Sequence, residues 1–268
     1  MMKKIIVPIV LLFTVLSLST CKKDKPGESF NLFTLEDDKQ LGRQTDSTIL
    51  ANPSEYPILS KSQYPAAYSY LLNIRDKILA SGKMDHKDDF DWEVKIIQDD
   101  SVLNAFCTAG GYIYVYTGLI KYLESEDQLA GVMGHEMGHA DGRHSTIAMT
   151  QQYGISTLLS IILGSDPSLL SQVANSLIGF KFSKDHERDA DARSVIYLCP
   201  TEYNAAGASG FFEKLEANGQ AGGTPEFLST HPNPENRITS IKAKKAELGC
   251  TGTATKETEY QQFVNALP

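Results

Sequence analysis

Ser125-Glu126-Asp127-Gln128-Leu129-Ala130-Gly131-Val132-Met133-Gly134-His135-Glu136-Met137-Gly138-His139-Ala140 decides how this chain is read. Ser125 with Gln128 three positions later has the pattern of a capping box, which predicts a helix starting at Glu126 and running past Ala140. On such a helix, residues four apart differ by about 40° around the axis and about 6 Å along it. His135 and His139 therefore point the same way and can hold one metal ion. Glu136 is rotated by about 100°, off the ligand face yet near enough to reach a water at the metal. The bland alternative is two solvated histidines on a helix face. Gly138, a costly residue inside a helix, is compatible with close packing against another backbone.

A catalytic zinc site needs a third protein ligand and one open position. His144 is one candidate, because a metzincin carries a third histidine shortly after the helix, but that motif would place it at position 145, which is Ser145. The spacing is one residue short. The other candidate is Glu187, in Ser183-Lys184-Asp185-His186-Glu187-Arg188-Asp189-Ala190-Asp191. Ser183 reads as an N-cap, so Glu187 and Asp191 share one face of the helix that follows. A carboxylate ligand and a second carboxylate one turn on suit a site in which the second accepts the other ring N–H of a ligand histidine. On spacing alone, a solvated acidic face fits equally well.

Around these two segments the pattern is helical over Leu35 to Leu50 and Gln63 to Ala80, and β-like over Trp92 to Ile97, Val102 to Cys107 and Tyr112 to Tyr116. Helices outnumber strands and do not alternate with them, which predicts an α+β domain, mainly helical, with a small sheet beside the His135 helix. The segment Tyr112 to Tyr116 reads either as a cleft-side edge to which an extended peptide adds or as an internal strand.

The chain has 268 residues, 41% hydrophobic and 22% charged, which excludes collagen-like, coiled-coil and wholly disordered classes. Its net charge of -8 argues against a nucleic-acid partner. Lys3 and Lys4 precede the apolar run Ile5 to Leu18, the layout of a secretory signal; that run is roughly 21 Å long as a helix, against about 30 Å of hydrocarbon. Leu18-Ser19-Thr20-Cys21 resembles a lipobox, with Thr20 where Gly or Ala is usual, and an ordinary cleaved signal is the alternative. The expected organisation is a signal peptide over 1–20, a lipidated tether over 21–28, one domain over 29–250 and a loosely held polar tail over 251–268. Removal of Lys3 and Lys4 makes the mature chain -10. With Cys21 lipidated, Cys107 reads as a buried thiol in an apolar stretch. Cys199 and Cys250, each just past a helical segment, are then the expected disulfide in an oxidising compartment.

Gly134 to His139, Arg143-His144, Glu187 with Ala190-Asp191, and Thr230-His231-Pro232 with Arg237-Ile238 together resemble one zincin peptidase family, that of the CAAX prenyl proteases, HtpX and BepA. The likeness takes in Asn104-Ala105-Phe106, Gly110 to Ile113 and Asn204 to Leu215, and spans about Ser29 to Leu248. Cys107-Thr108-Ala109 departs from it, standing where relatives often have a small residue and a proline. The resemblance implies one Zn2+ per chain held by His135, His139 and Glu187, with Asp191 behind them and Glu136 as general base. His231 is the second catalytic candidate, as a donor to the developing oxyanion, with two other roles open: occupant of the open zinc position in a latent state, or helix cap. His144 and His186 fit beside the site better than in the ligand set, and His86, alone in a charged stretch, reads as solvated.

The chain lacks the membrane spans of the CAAX proteases and HtpX, since Ile155 to Leu163, the longest later apolar stretch, is too short to cross a bilayer. The implied protein is a zinc endopeptidase on the periplasmic side of the bacterial envelope, with the outer membrane expected. It acts on misfolded or unassembled envelope polypeptides and touches the membrane through its N-terminal lipid only. A chaperone-like, metal-binding lipoprotein with little turnover is the competing class.

Overall fold

The computed structural model describes residues 30–163, 167–218, 226–233 and 235–268; the expected signal segment and the whole lipidated tether, Cys21 included, lie outside them. Helices α1 (Leu35–Ala51) and α2 (Pro65–Leu79) lead into a three-stranded sheet, β1 (Val94–Ile97), β2 (Ala105–Thr108) and β3 (Tyr112–Tyr116). Among the described residues, ten α-helices follow: α3 (Thr117–Tyr122), α4 (Glu126–Asp141), α5 (His144–Gln152), α6 (Ile155–Ile162), α7 (Pro167–Leu177), α8 (Lys184–Leu198), α9 (Gly207–Ala217), α10 (Glu226–Thr230), α11 (Arg237–Glu247) and α12 (Glu257–Asn265). This is the mainly helical α+β class expected.

α4 is the axis of the molecule. Every one of its residues except Gln128 is buried, as befits a helix whose small and apolar residues run all the way round. It packs against α8, α9, α2 and β2. Its glycines set the spacing: a Cβ at Gly131 would stand 2.2 Å from the Ala208 backbone nitrogen, and one at Gly138 would stand 3.2 Å from the Ala190 carbonyl oxygen. The roughly 1 kcal/mol that a mid-helix glycine costs is thus offset by close approach of α9 and α8. That approach carries Glu187 to the histidines.

The start of α4 differs from expectation. Ser125 is the N-cap, but its side chain makes no cap bond and instead donates to Asp127 Oδ1 at 2.5 Å, while Gln128 accepts from the Glu124 N–H at 3.0 Å. The Thr255 carbonyl takes the N–H groups of Glu126 and Asp127, at 2.9 and 3.4 Å. A distant segment therefore replaces the predicted capping box.

The polar tail is also not loose. α12 places Tyr260 and Phe263 in the main core, and the Tyr260 hydroxyl donates to the Ile120 carbonyl at 2.6 Å. Overall polarity hid a few apolar residues at helical spacing. Cys199 and Cys250, 51 residues apart, are joined by a disulfide that ties the end of α8 to the start of this segment, and Cys107 is a buried free thiol. In the loop-entropy account such a closure is worth roughly 4 kcal/mol.

Strand order is β1-β3-β2, with β3 parallel to β1 and antiparallel to β2. Tyr112–Tyr116 is therefore the central strand, and the peptide-docking edge considered for it is already paired on both sides. Alternating aromatic and β-branched residues suit a strand buried on both faces as well as one lining a cleft, so alternation alone could not decide. The far edge of β1 is bridged at Ile97 by Ile58. β2 has no second strand partner among the described residues.

Among the described residues, no helix is long and apolar enough to cross a membrane.

Candidate metal centre

His135 and His139 stand one turn apart on α4, with their Nε2 atoms 3.0 Å from each other. Glu187, on the first turn of α8, brings Oε2 to 3.4 Å from His135 Nε2 and Oε1 to 3.3 Å from His139 Nε2. His231 follows α10 and adds Nδ1, 3.3 Å from His135 Nε2 and 3.0 Å from Glu187 Oε1. These four residues are the one group among the described residues with the composition and closeness to hold a metal ion. Donor atoms about 2.0–2.1 Å from a tetrahedral zinc lie about 3.3 Å from one another. The observed separations match that figure.

The hydrogen-bond partners make the same point. His135 Nδ1 is 2.8 Å from Asp191 Oδ1, so it carries the proton and leaves a lone pair on Nε2. His139 Nδ1 is 2.9 Å from His144 Nδ1, and His144 Nε2 is 3.1 Å from Asp189 Oδ2. With the His144 Nε2–H donating to Asp189, His144 Nδ1 accepts from His139 Nδ1–H, and His139 Nε2 also presents a lone pair. Two lone pairs 3.0 Å apart beside a carboxylate repel one another unless a cation lies between them. The donor set fits Zn2+.

Behind this donor group, Arg237 at the start of α11 is 3% exposed. Its Nη2 lies 2.8 Å from Asp191 Oδ1 and 3.0 Å from Glu187 Oε2, and its guanidinium sits over the Phe212 ring. Phe182 stacks on His139 at 3.8 Å, and Phe227 stacks on His231 at 4.3 Å. These contacts confine both rings. His186 lies against His144, ring on ring, outside the donor group, and His86 faces Asp89 near the surface.

Glu136 is fully buried, and neither of its oxygens accepts a hydrogen bond. His231 Nε2 stands 3.5 Å from its Oε1, and the backbone of Cys107 on β2 lies beside it. Burial pushes its carboxyl up to about 7, against the downward pull of the His231 and Arg237 charges. Burial would also raise Glu187, but His231 and His135 outweigh it and hold that carboxyl far below the usual range. Burial keeps His139 neutral, as a ligand must be.

The structure thus brings together His135, Glu136, His139, Glu187, Asp191 and His231, and leaves His144 behind a ligand, outside the set. Neither Arg237 nor Phe182 has a role that local sequence pattern marks. Arg237 had one signal, its place six residues after His231 in the same motif; an arginine buried on two carboxylates is invisible in local pattern.

The chain matches the model of Peptidase family M48 over residues 66–245. It is 28% identical over 218 residues to the mitochondrial metalloendopeptidase OMA1 of Schizosaccharomyces pombe, covering 80% of this chain and 62% of that protein. The putative beta-barrel assembly-enhancing protease of Vibrio cholerae is 29% identical over 194 residues, 67% of this chain and 39% of the relative. Metalloprotease YcaL of Escherichia coli is 31% identical over 153 residues, 54% of this chain and 59% of the relative. The chain therefore spans between about two fifths and three fifths of the length of these relatives. A match over most of the chain, on a site whose donor geometry suits zinc, places this protein in Peptidase family M48, a family of zinc metallopeptidases.

Proposed function

We propose that the chain is a zinc-dependent endopeptidase, anchored by lipid at Cys21 on the periplasmic side of the bacterial envelope, that hydrolyses misfolded or unassembled envelope proteins. The observation that carries the peptidase reading is the unpartnered Glu136 carboxylate beside a completed ligand set. A zinc site that only holds a fold together has no use for a buried base. Bound zinc supplies a Lewis acid that activates water and polarises the peptide carbonyl.

The chain's own groups do the rest. Glu136 takes a proton from the attacking water and passes it to the leaving amine. Asp191 and Arg237 fix the ring of His135 and the carboxylate of Glu187, and the His144–Asp189 pair fixes His139. The Nδ1 of His231 lies among the metal-facing atoms, which supports the reading of this residue as an occupant of the open position over that of an oxyanion donor. Envelope substrates are supported by the names of the beta-barrel assembly-enhancing relatives, and lipidation by Leu18 to Cys21.

Casein cleavage by the mature protein, with and without chelator, tests the activity. Cleavage that chelator abolishes and zinc restores is expected. Stoichiometric zinc with no cleavage of casein or of unfolded envelope proteins would replace the peptidase by the chaperone-like reading.

A further inference from the structure

The exposed large apolar side chains among the described residues are Phe30, Leu50, Ile155, Leu159, Leu163 and Leu248. Half of them belong to one short helix. Ile155, Leu159 and Leu163, on α6 and at its C-cap, are 72%, 43% and 74% exposed and recur every fourth residue, on one face. The opposite face is occupied: Leu158 and Ile161 are buried in a cluster with Phe33, Leu41 and Met149. A surface helix ordinarily turns a polar side to water, and α6 turns an apolar one.

Two further observations say what covers it. The first is charge: between Ser145 and Phe180 the sequence holds a single charged residue, Asp166, in a chain that is 22% charged. The second is where the tether arrives. Asn31 Nδ2 donates to Thr146 Oγ1 at 2.9 Å, the Leu32 N–H donates to Thr150 Oγ1 at 3.1 Å, and Leu32 and Phe33 pack in the same cluster as Leu158 and Ile161. The exposed Phe30 thus leaves the fold beside α5 and α6. Cys21 is nine residues upstream, and nine residues reach about 30 Å at full extension.

We propose that α6, with Phe30, is a membrane-docking surface whose Ile155, Leu159 and Leu163 enter the headgroup boundary of the bilayer that holds Cys21. The direction of the bilayer rests on the lipidation reading above, and contact through the lipid alone is what this proposal replaces. The lipid at Cys21 holds the chain near the bilayer, and an apolar face beside the tether adds buried apolar area to that contact. The near-absence of charge in the sequence from Ser145 to Phe180 lowers the repulsion that an otherwise acidic protein meets at anionic lipid.

The test is flotation of the unlipidated mature chain, residues 21–268 with Cys21→Ser, on vesicles of phosphatidylethanolamine and phosphatidylglycerol. The floated fraction should fall at least about tenfold on Ile155→Ser/Leu159→Ser/Leu163→Ser, and stay unchanged on Leu50→Ser/Leu248→Ser, whose exposed side chains lie elsewhere. Unaltered zinc content and unaltered hydrolysis of a short peptide show that the triple variant is folded. If the parent chain stays with the soluble fraction, or floats equally well with the triple substitution, the proposal is wrong. It is also wrong if the triple substitution changes only the sedimenting mass, which would make the face a contact between copies, or only casein cleavage, which would make it a substrate contact. Palmitate labelling at Cys21 tests lipidation separately, and its failure leaves the stripe-dependent flotation to be read on its own.

Discussion

Each end of α4 buries a glutamate, and the two are treated in opposite ways. At the N-terminal end Glu126 accepts from the Tyr70 hydroxyl at 2.5 Å and from that of Tyr203, with Lys256 at 3.3 Å and Lys77 at 3.6 Å. Ten residues on, Glu136 accepts nothing. A buried carboxylate whose two oxygens both accept hydrogen bonds holds elements together, here α2, α4 and the segment before α12. One left unpartnered costs stability, and is kept where its basicity has a use.

The sharpest way to break this contrast is to exchange carboxylate for amide at both ends. Glu136→Gln should lower peptide hydrolysis by at least about 100-fold, with zinc content intact and Tm equal or higher, because it removes an unpartnered carboxylate. Activity near that of the parent with full zinc occupancy would leave no role for Glu136 as base.

Zinc affinity sharpens the functional end. Glu187→Ala should weaken zinc at least about 100-fold in competition with a chelator, since it removes one of the proposed ligands. His144→Ala should weaken it by about 10- to 100-fold, and His144→Asn, whose Oδ1 replaces Nδ1 as acceptor, should restore part of that loss. Loss of the metal in His144→Ala but not in Glu187→Ala would make His144 the third ligand instead.

His231→Ala separates three roles at one residue. Release of the open position should raise initial rates severalfold with stability nearly unchanged. A fall in kcat of about 100-fold at constant KM would restore the oxyanion-donor reading. A loss of about 1 kcal/mol in stability with unchanged turnover would leave a helix cap.

The smallest effect belongs to the structural end. Glu126→Gln should cost about 2 kcal/mol of stability, with zinc affinity unchanged. Burial raises the Glu126 carboxyl, but the tyrosine hydrogen bonds and lysine charges outweigh this and hold it below its ordinary 4.5. Glu202 is held to about 2 by hydrogen bonds from Lys77 and Lys256. A carboxyl lowered in the folded state stabilises the fold above its ordinary value and stops doing so as pH falls through the lowered one. The Tm gap between parent and Glu126→Gln should therefore be full at pH 7 and close progressively below about pH 4.5. A gap that closes instead on raising the pH would contradict the ionised pairing.

What the sequence determined alone are the features carried by local period and chemistry. Helix geometry places His135 and His139 on one face whatever surrounds them, and the Ser183 cap starts α8 so that Glu187 and Asp191 share a face. Contacts between distant segments were left to the tertiary structure. Alternation in Tyr112–Tyr116 reads alike for an edge and for a central strand, until β1 and β2 are seen on either side. The polar tail conceals Tyr260 and Phe263, and the Thr255 carbonyl displaces a plausible capping box, because only the packed chain brings residue 255 to residue 126. Glu187 meets the histidines because α8 packs on α4 at a distance the α4 glycines permit, and Arg237 joins it because α11 packs on α8. A glycine shows in sequence only that close approach is affordable; which neighbour makes it is decided by the fold.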